Sequence, residues 1–146
     1  MQYLIIFLFW TFVLYSMHWA AHNNEFLQKF HFDHHKYIAS HEVKWHWSNI
    51  LLYTDTWYST IDVWLTEVIP TIIVAAFFQQ WWLLVFYYAW AALVQERIEH
   101  NKGINIYPFL TSGKWHMHHH KHPTTNFGIF LPIWDKLFHT ESERRV

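Results

Sequence analysis

The sequence contains no cysteine, which excludes disulfide bonds and metal sites built on thiolates. It also lacks a strong charge of either sign, because ten Lys and Arg side chains are balanced by eleven Asp and Glu. Nucleic acids and other polyanions are therefore not expected partners. The sequence carries no haem-, flavin- or nicotinamide-binding motif, and no low-complexity linker divides it. Its length predicts a single domain, residues 1–146.

Aromatic residues and histidines, by contrast, are far more frequent than in ordinary soluble proteins. Aromatics make up 22% of the chain, with eleven Trp and eight Tyr, and there are 14 histidines. Trp and Tyr collect where hydrocarbon meets water, because their side chains are apolar at one end and polar at the other. This composition indicates a protein of the lipid bilayer.

Long apolar runs support the same interpretation. Residues 3–15 carry no charge and as a helix span roughly 20–25 Å, slightly less than a hydrocarbon core of about 30 Å. A signal peptide is disfavoured, because no basic segment precedes the run and no small-residue cleavage pattern follows it. A second apolar region, residues 57–94, is interrupted by two glutamines and predicts a helical hairpin. In its first arm Pro70 should kink or break the helix, whereas Asp62 and Glu67 should face protein or lie near the interface.

All Lys and Arg lie outside these apolar arms. The positive-inside rule places the segments that carry them on the cytoplasmic side. The predicted fold is therefore all-α: an integral membrane helical bundle of about three spanning helices with a cytosol-facing, histidine-rich helical cap.

Nine histidines lie beside the predicted membrane helices on this side. They form one HxxxH pair, two HxxHH clusters and one isolated site: His18 and His22; His31, His34 and His35; His116, His119 and His120; and His100. Residues three and four apart share one face of a helix, so each cluster points its imidazoles into one volume. Neutral imidazole is a good ligand for Fe, Zn, Cu and Ni. The repeated spacing therefore predicts a metal site.

One ion cannot use nine imidazoles, since a structural zinc takes about four protein ligands. Two ions about 3.5–4 Å apart could share them and keep open positions for water, oxygen or substrate. Glu96, four residues before His100, is a candidate to ligate a metal or to orient this imidazole, although a solvated or ion-paired Glu is commoner. His118 is a second candidate for an orienting role. The other histidines fit no ligand spacing and are expected to be exposed or interfacial: His41, His46, His122 and His139.

The three histidine clusters resemble the histidine boxes of the fatty acid hydroxylase/sterol desaturase superfamily. The similarity extends to HNKGIN at 100–105, which resembles an element before the last box, and to NFG at 126–128, an Asn-aromatic-Gly turn. WDKLFHT at 134–140 is similar to the terminal motif of the family, with His139 standing where the family usually has Gly.

The resemblance implies a non-haem di-iron oxygenase in the membrane, with its site at the cytosolic face. Such enzymes use O2 and two external electrons to hydroxylate or desaturate a fatty acyl, sterol or related lipid. The nine histidines would then be the iron ligands, with zinc as a substitute metal, and no further catalytic side chain is predicted. A separate carrier, such as cytochrome b5 or a ferredoxin, would supply the electrons.

Two interpretations from other classes stay open at this point. One is a non-catalytic membrane protein that carries or senses zinc, because the histidine spacing does not separate iron from zinc. The other is a histidine pH switch, which does not account for the repeated spacing.

Overall fold

The computed structural model describes residues 1–142. Within this range the chain is helical, and its one β-type pairing is an isolated bridge between Asn105 and Gly113. The helices are α1 (Gln2–Asn23), α2 (Glu25–Ser40), α3 (Trp57–Phe78), α4 (Trp82–Trp90), α5 (Lys114–Lys121) and α6 (Ile133–Leu137). A 3-10 turn, Trp47–Leu51, lies between α2 and α3. The all-α prediction is confirmed for the described residues.

Two helices, α1 and α3, are long and apolar enough to cross a membrane. They pack together in the core, where the indole of Trp10 is fully buried and donates a hydrogen bond to Thr71 Oγ1 at 2.9 Å. The predicted hairpin is present, since α4 runs back against α3 after a turn at Gln79. Beyond Trp90 its helix continues as a π-helical segment, Ala91–Gln95, and a final turn, Glu96–Ile98.

Pro70 does not break α3. A π-helical turn, Trp64–Val68, stands just before it, and regular α-helix restarts at Ile69. Pro70 thus occupies the first turn of this new stretch, where its missing N–H is tolerated and its fixed φ suits the helix. Of the two predicted effects, a kink or a break, the break does not occur, and the regular α-helical pattern is interrupted instead by the π-helical turn just before Pro70.

The carboxylates of α3 face protein, as predicted. Asp62 and Glu67 are both buried. Glu67 accepts a hydrogen bond from the hydroxyl of Tyr87 at 3.1 Å and lies 3.4 Å from the amide of Gln95, on the other arm of the hairpin. The carboxyl group of Glu67, which would be unfavourable in lipid, is thereby enclosed between the two arms.

A sharp turn at Asn24 folds α2 back beside α1. The backbone of Asn24 is extended, which ends α1, and its side chain caps α2 by accepting hydrogen bonds from the amides of Phe26 and Leu27. Asn is a preferred residue for this capping role. The turn brings the HxxHH face of α2 towards the HxxxH face at the end of α1.

Candidate metal centre

The nine predicted ligands converge in space. They form two groups, and within each group one ring nitrogen from each histidine lies within 4.8 Å of those of the others. The first group is His18, His22, His31, His35 and His119, and the second group is His34, His100, His116 and His120. The histidines therefore meet at one place from four separate segments of the chain: α1, α2, the segment that follows α4, and α5.

Each HxxHH cluster contributes to both groups. In α2 the i and i+4 residues, His31 and His35, join the first group, whereas the i+3 residue, His34, joins the second. In α5 the i and i+4 residues, His116 and His120, join the second group and His119 the first. The two groups are thus built on shared helices, which holds them side by side.

The spacing of the nitrogens suits a shared ion. Nε2 of His22 lies 3.0 Å from Nε2 of His119 and 2.7 Å from Nε2 of His31. In the second group, Nε2 of His116 lies 3.2 Å from that of His100 and 2.9 Å from that of His120. Two nitrogens that each lie about 2.1 Å from one ion, at right angles to each other, are about 3.0 Å apart. The donor set therefore fits one transition-metal ion in each group.

Hydrogen bonds at Nδ1 orient the imidazoles of the first group. Nδ1 of His18 lies 2.7 Å from the carbonyl oxygen of Phe127, and Nδ1 of His119 lies 2.6 Å from that of Thr125. A carbonyl only accepts, so both imidazoles donate from Nδ1 and present an unprotonated Nε2 to the group. Such outer partners fix the tautomer and the orientation of metal-ligating histidines.

Carboxyl groups lie near the Nδ1 atoms of three histidines of the second group. Nδ1 of His34, His100 and His116 lies 3.9, 3.7 and 3.7 Å from an oxygen of Asp55, Glu96 and Glu99, respectively. These separations exceed a hydrogen bond but keep each carboxyl group close to its imidazole and largely shielded from water. The first group has one such partner, Asp62, whose Oδ2 lies 2.8 Å from Nδ1 of His31. The two candidate ion positions therefore differ in the negative charge around them.

Burial keeps most of these imidazoles neutral. Burial, followed by the proximity of other histidines, lowers the pKa of His34, His116, His119 and His120 well below the usual value. Burial likewise lowers the pKa of His35 to about 3. A metal binds the unprotonated ring, so the pocket is prepared for an ion at neutral pH.

His100 and its carboxylate neighbours behave differently. Burial alone would lower the pKa of His100, but the adjacent charges of Glu96, Glu99 and Asp55 outweigh it and raise this pKa. Burial raises the pKa of Glu99 to about 7 and that of Asp55 to about 6. A cation at the second group would favour the ionised form of both carboxyl groups.

The NFG turn and the WDKLFHT motif form a clasp that positions His18. The buried carboxylate of Asp135 accepts hydrogen bonds from the amides of Phe127 at 2.7 Å and Gly128 at 2.8 Å, and from the hydroxyl of Thr140 at 2.8 Å. A Cβ on Gly128 would lie 2.7 Å from Asp135 Oδ2, which explains the glycine. The clasp holds the Phe127 carbonyl at the His18 ring.

The remaining histidines lie outside both groups. His118 lies 2.9 Å from the Ser142 hydroxyl, and the centre of its ring lies 4.5 Å from that of His122. His41 stacks on Tyr37, and His46 caps the 3-10 turn. Glu96 is buried beside His100, not solvated or paired with Arg97, which instead lies over the ring of Trp45.

Several site residues escaped the sequence analysis. The outer partners of the imidazoles include Asp55, Asp62, Glu99 and the carbonyls of Thr125 and Phe127. Asp62 carried a signal, since an acidic residue inside an apolar arm needs a partner. Backbone carbonyls carry no such signal in the sequence, because their role depends on the fold alone.

The profile of one protein family, described as "Fatty acid hydroxylase", matches residues 3–140. The chain belongs to the fatty acid hydroxylase family. The predicted membership in the fatty acid hydroxylase/sterol desaturase superfamily is thus confirmed. No curated protein and no solved structure matches the chain. Membership implies a membrane-associated oxidoreductase that uses O2 and acts on lipid, in a family known for iron.

Proposed function

We propose that the protein is an O2-dependent membrane lipid oxygenase, a hydroxylase or desaturase, with a di-iron centre held by its nine clustered histidines. The observation that carries this proposal is the division of the nine imidazoles into two adjacent groups with ligand-like nitrogen spacing. Five and four imidazoles suit one ion each, with positions left for oxygen or substrate.

The bound iron pair would supply the activation of O2, which no side chain of this chain can perform. In hydroxylation one oxygen atom enters a C–H bond and the other leaves as water. This balance requires two electrons and two protons from outside the substrate. A separate one-electron carrier, such as cytochrome b5 or a ferredoxin, would deliver the electrons. Desaturation has the same requirements and releases both oxygen atoms as water.

The protein's own residues would bind the substrate, orient the imidazoles and shield the centre from water. Asp62 and the carbonyls of Thr125 and Phe127 hold three imidazoles of the first group in place. Three helical arms, of which α1 and α3 have the length of membrane spans, would place the centre at the cytosolic membrane face. Burial of the imidazoles would limit the access of bulk water to the centre.

The proposal is tested with iron-loaded membranes that contain the protein, a broad panel of lipids, 18O2 and a reducing system. We expect labelled alcohol or a new double bond in one lipid class, with none formed when the reductant is omitted. Two irons per chain and an O2-sensitive spectrum should accompany the activity. Stable zinc without redox response, and no oxidised lipid across the panel, would instead support a non-catalytic zinc-binding protein.

A further inference from the structure

A small cavity lies against the second group of histidines. Its volume is about 30 Å³, and carboxyl, amide, hydroxyl and imidazole groups make up most of its wall. Two histidines of the second group, His100 and His116, line it together with their acidic neighbours Glu96 and Glu99. The side chains of these four residues are each 8% exposed or less. A cavity of this size has room for at least one water molecule.

Several polar atoms of the lining residues are buried and have no hydrogen-bond partner within residues 1–142. They are Nδ1 of His34, His100 and His116, Oε2 of Glu96 and Glu99, and Oγ1 of Thr54. Buried polar groups in folded proteins almost always have a partner, either in the protein or in ordered water. So many unpaired atoms around one cavity therefore indicate that its occupant is polar.

The first group differs, because its imidazoles have direct partners at Nδ1, as the contacts of His18, His31 and His119 show. At His100 and His116 the neighbouring carboxyl oxygens lie 3.7 Å from Nδ1, which is too far for a hydrogen bond. Polar groups that face each other across such a gap are commonly bridged by water. Metal-ligating histidines donate their second ring N–H to a carboxylate, a backbone carbonyl or water. Water is therefore the partner that suits these two imidazoles.

The chemistry of the unpaired atoms distinguishes water from a further metal ion. Nε2 of His100 and Nε2 of His116 lie 3.2 Å apart, at the candidate ion position of the second group. A neutral imidazole that presents an unprotonated Nε2 carries its hydrogen on Nδ1. A cation in the cavity would meet these N–H groups, whereas water accepts hydrogen bonds from them. Water also donates to the carboxyl oxygens of Glu96 and Glu99, and an aliphatic occupant would leave all of these atoms unpaired.

A larger polar pocket adjoins the cavity. Its volume is about 450 Å³, and its wall shares Glu96 and His100 with that of the cavity. Arg97, Asn101 and Lys102 also line this pocket, and all three are exposed. Charged and polar side chains of this kind are hydrated. The cavity therefore has a source of water in its immediate surroundings.

We propose that this cavity is a buried water site, in which ordered water accepts hydrogen bonds from Nδ1 of His100 and His116 and donates to the carboxyl groups of Glu96 and Glu99. The inference rests on the proposed function, because it takes the second group as an ion position. The water orients two imidazoles of the second group, as backbone carbonyls orient those of the first. It contacts Nδ1 and not Nε2, so it is not itself a metal ligand.

The first test is a crystal structure of the zinc-loaded full chain at a resolution that shows ordered water. We expect at least one density peak in the cavity, within hydrogen-bond distance of Nδ1 of His116 or His100 and of a carboxyl oxygen. This peak should give no anomalous signal at the zinc absorption edge. An anomalous peak in the cavity, density for an aliphatic chain, or a cavity without density would each overturn the proposal.

A matched pair of variants in α3 tests the role of the water. Val63 lines the cavity, so Val63→Ile adds a methyl group to its wall and should displace the water. One of two Zn²⁺ binding events, measured by titration against a chelator, should then weaken about tenfold. Val74→Ile makes the same addition at a buried valine outside the cavity wall and should keep both events. Equal zinc binding in the two variants would overturn the proposal.

Neither test measures the oxidation of a lipid. A chain that holds the water beside two zinc ions, but oxidises no lipid after iron loading, would refute the oxygenase function and leave the water site intact. Oxidised lipid formed by a chain whose cavity holds no water would have the opposite meaning, because it would overturn the water site alone.

Discussion

Replacing Glu99 by glutamine should weaken metal binding at the second group and leave the first group nearly unchanged. Oε1 of Glu99 lies 3.7 Å from Nδ1 of His116, and the side chain is buried. Glutamine keeps the size of the side chain and removes its negative charge. The change is therefore mainly electrostatic, and it acts on one of the two candidate ion positions.

The expected loss of metal affinity can be worked out from the distance between the carboxylate and the ion and from the effective dielectric constant. The carboxylate lies about 8 Å from an ion at Nε2 of His116, since the ring and a metal–nitrogen bond of about 2.1 Å separate them. At an effective dielectric constant of about 20, a divalent ion and one negative charge attract at this distance by about 4 kcal/mol. Changes in groups that orient metal-ligating histidines typically reduce affinity about 10–100-fold, or about 1.4–2.7 kcal/mol. We expect a loss in this lower range, because the amide dipole replaces part of the attraction.

The pH dependence of this loss has a definite sign. Burial raises the pKa of Glu99 to about 7, although nearby His100 opposes the shift and Glu96 adds to it. In the metal-free protein the carboxyl is therefore neutral at pH 6, like glutamine, and ionised at pH 8. Zinc binding at pH 6 must first ionise this carboxyl group, so the difference in zinc affinity between the wild type and Glu99→Gln should be smaller at pH 6 than at pH 8.

The assay is a Zn²⁺ titration of the metal-free protein against a competing chelator, at both pH values. In Glu99→Gln one of two binding events should weaken at pH 8. Glu42→Gln is the matched control, because it removes the same charge from an exposed side chain that pairs with Lys44 and belongs to neither histidine group, and both events should persist in it. Equal weakening of both events in Glu99→Gln, or no change at pH 8, would refute the idea that the carboxylates tune the second group.

Three further outcomes are expected. His119→Ala should lose metal and oxygenase activity together, because it removes a fully buried member of the first group. His41→Ala should keep both, as measured by metal analysis and activity assays. Similar behaviour of the two variants would contradict the ligand assignment. His139→Gly should raise the free energy of unfolding by about 0.5–1 kcal/mol, because His139 has a left-handed φ of 56° that favours glycine. Thermal unfolding measures this change, and a lower melting temperature would refute the expectation. Chelation should lower the melting temperature, since an ion at 100 times its Kd stabilises the folded state by about 2.7 kcal/mol; an unchanged value would argue against a structural link between metal and fold.

Apolar runs were enough to predict the all-α class and the helical hairpin, and local periodicity was enough to predict the faces of the histidines. His31 and His35 share a face of α2, as their spacing predicts, and α5 carries the same pattern. The division of each cluster between two ion positions could not be predicted. It depends on which imidazole of α2 meets which imidazole of α5, and this is a property of tertiary packing.

The outer partners and the continuity of α3 were also beyond the sequence analysis. A carbonyl such as that of Phe127 has no distinguishing residue type, and Asp55 approaches His34 only because the loop before α3 turns back towards α2. The absence of a break at Pro70 could not be predicted for a related reason. The π-helical turn before it resets the hydrogen-bond register, and such a turn has no clear sequence signature.

The clasp between Asp135 and the NFG turn has a consequence for biosynthesis. His18 is made early, but the carbonyl that orients it belongs to Phe127, and this turn is secured by Asp135 and Thr140. The ribosome must release more than a hundred further residues before the first group is complete, since His18 and Phe127 are 109 positions apart. Any metal insertion that needs the complete first group would therefore follow the synthesis of all the apolar arms.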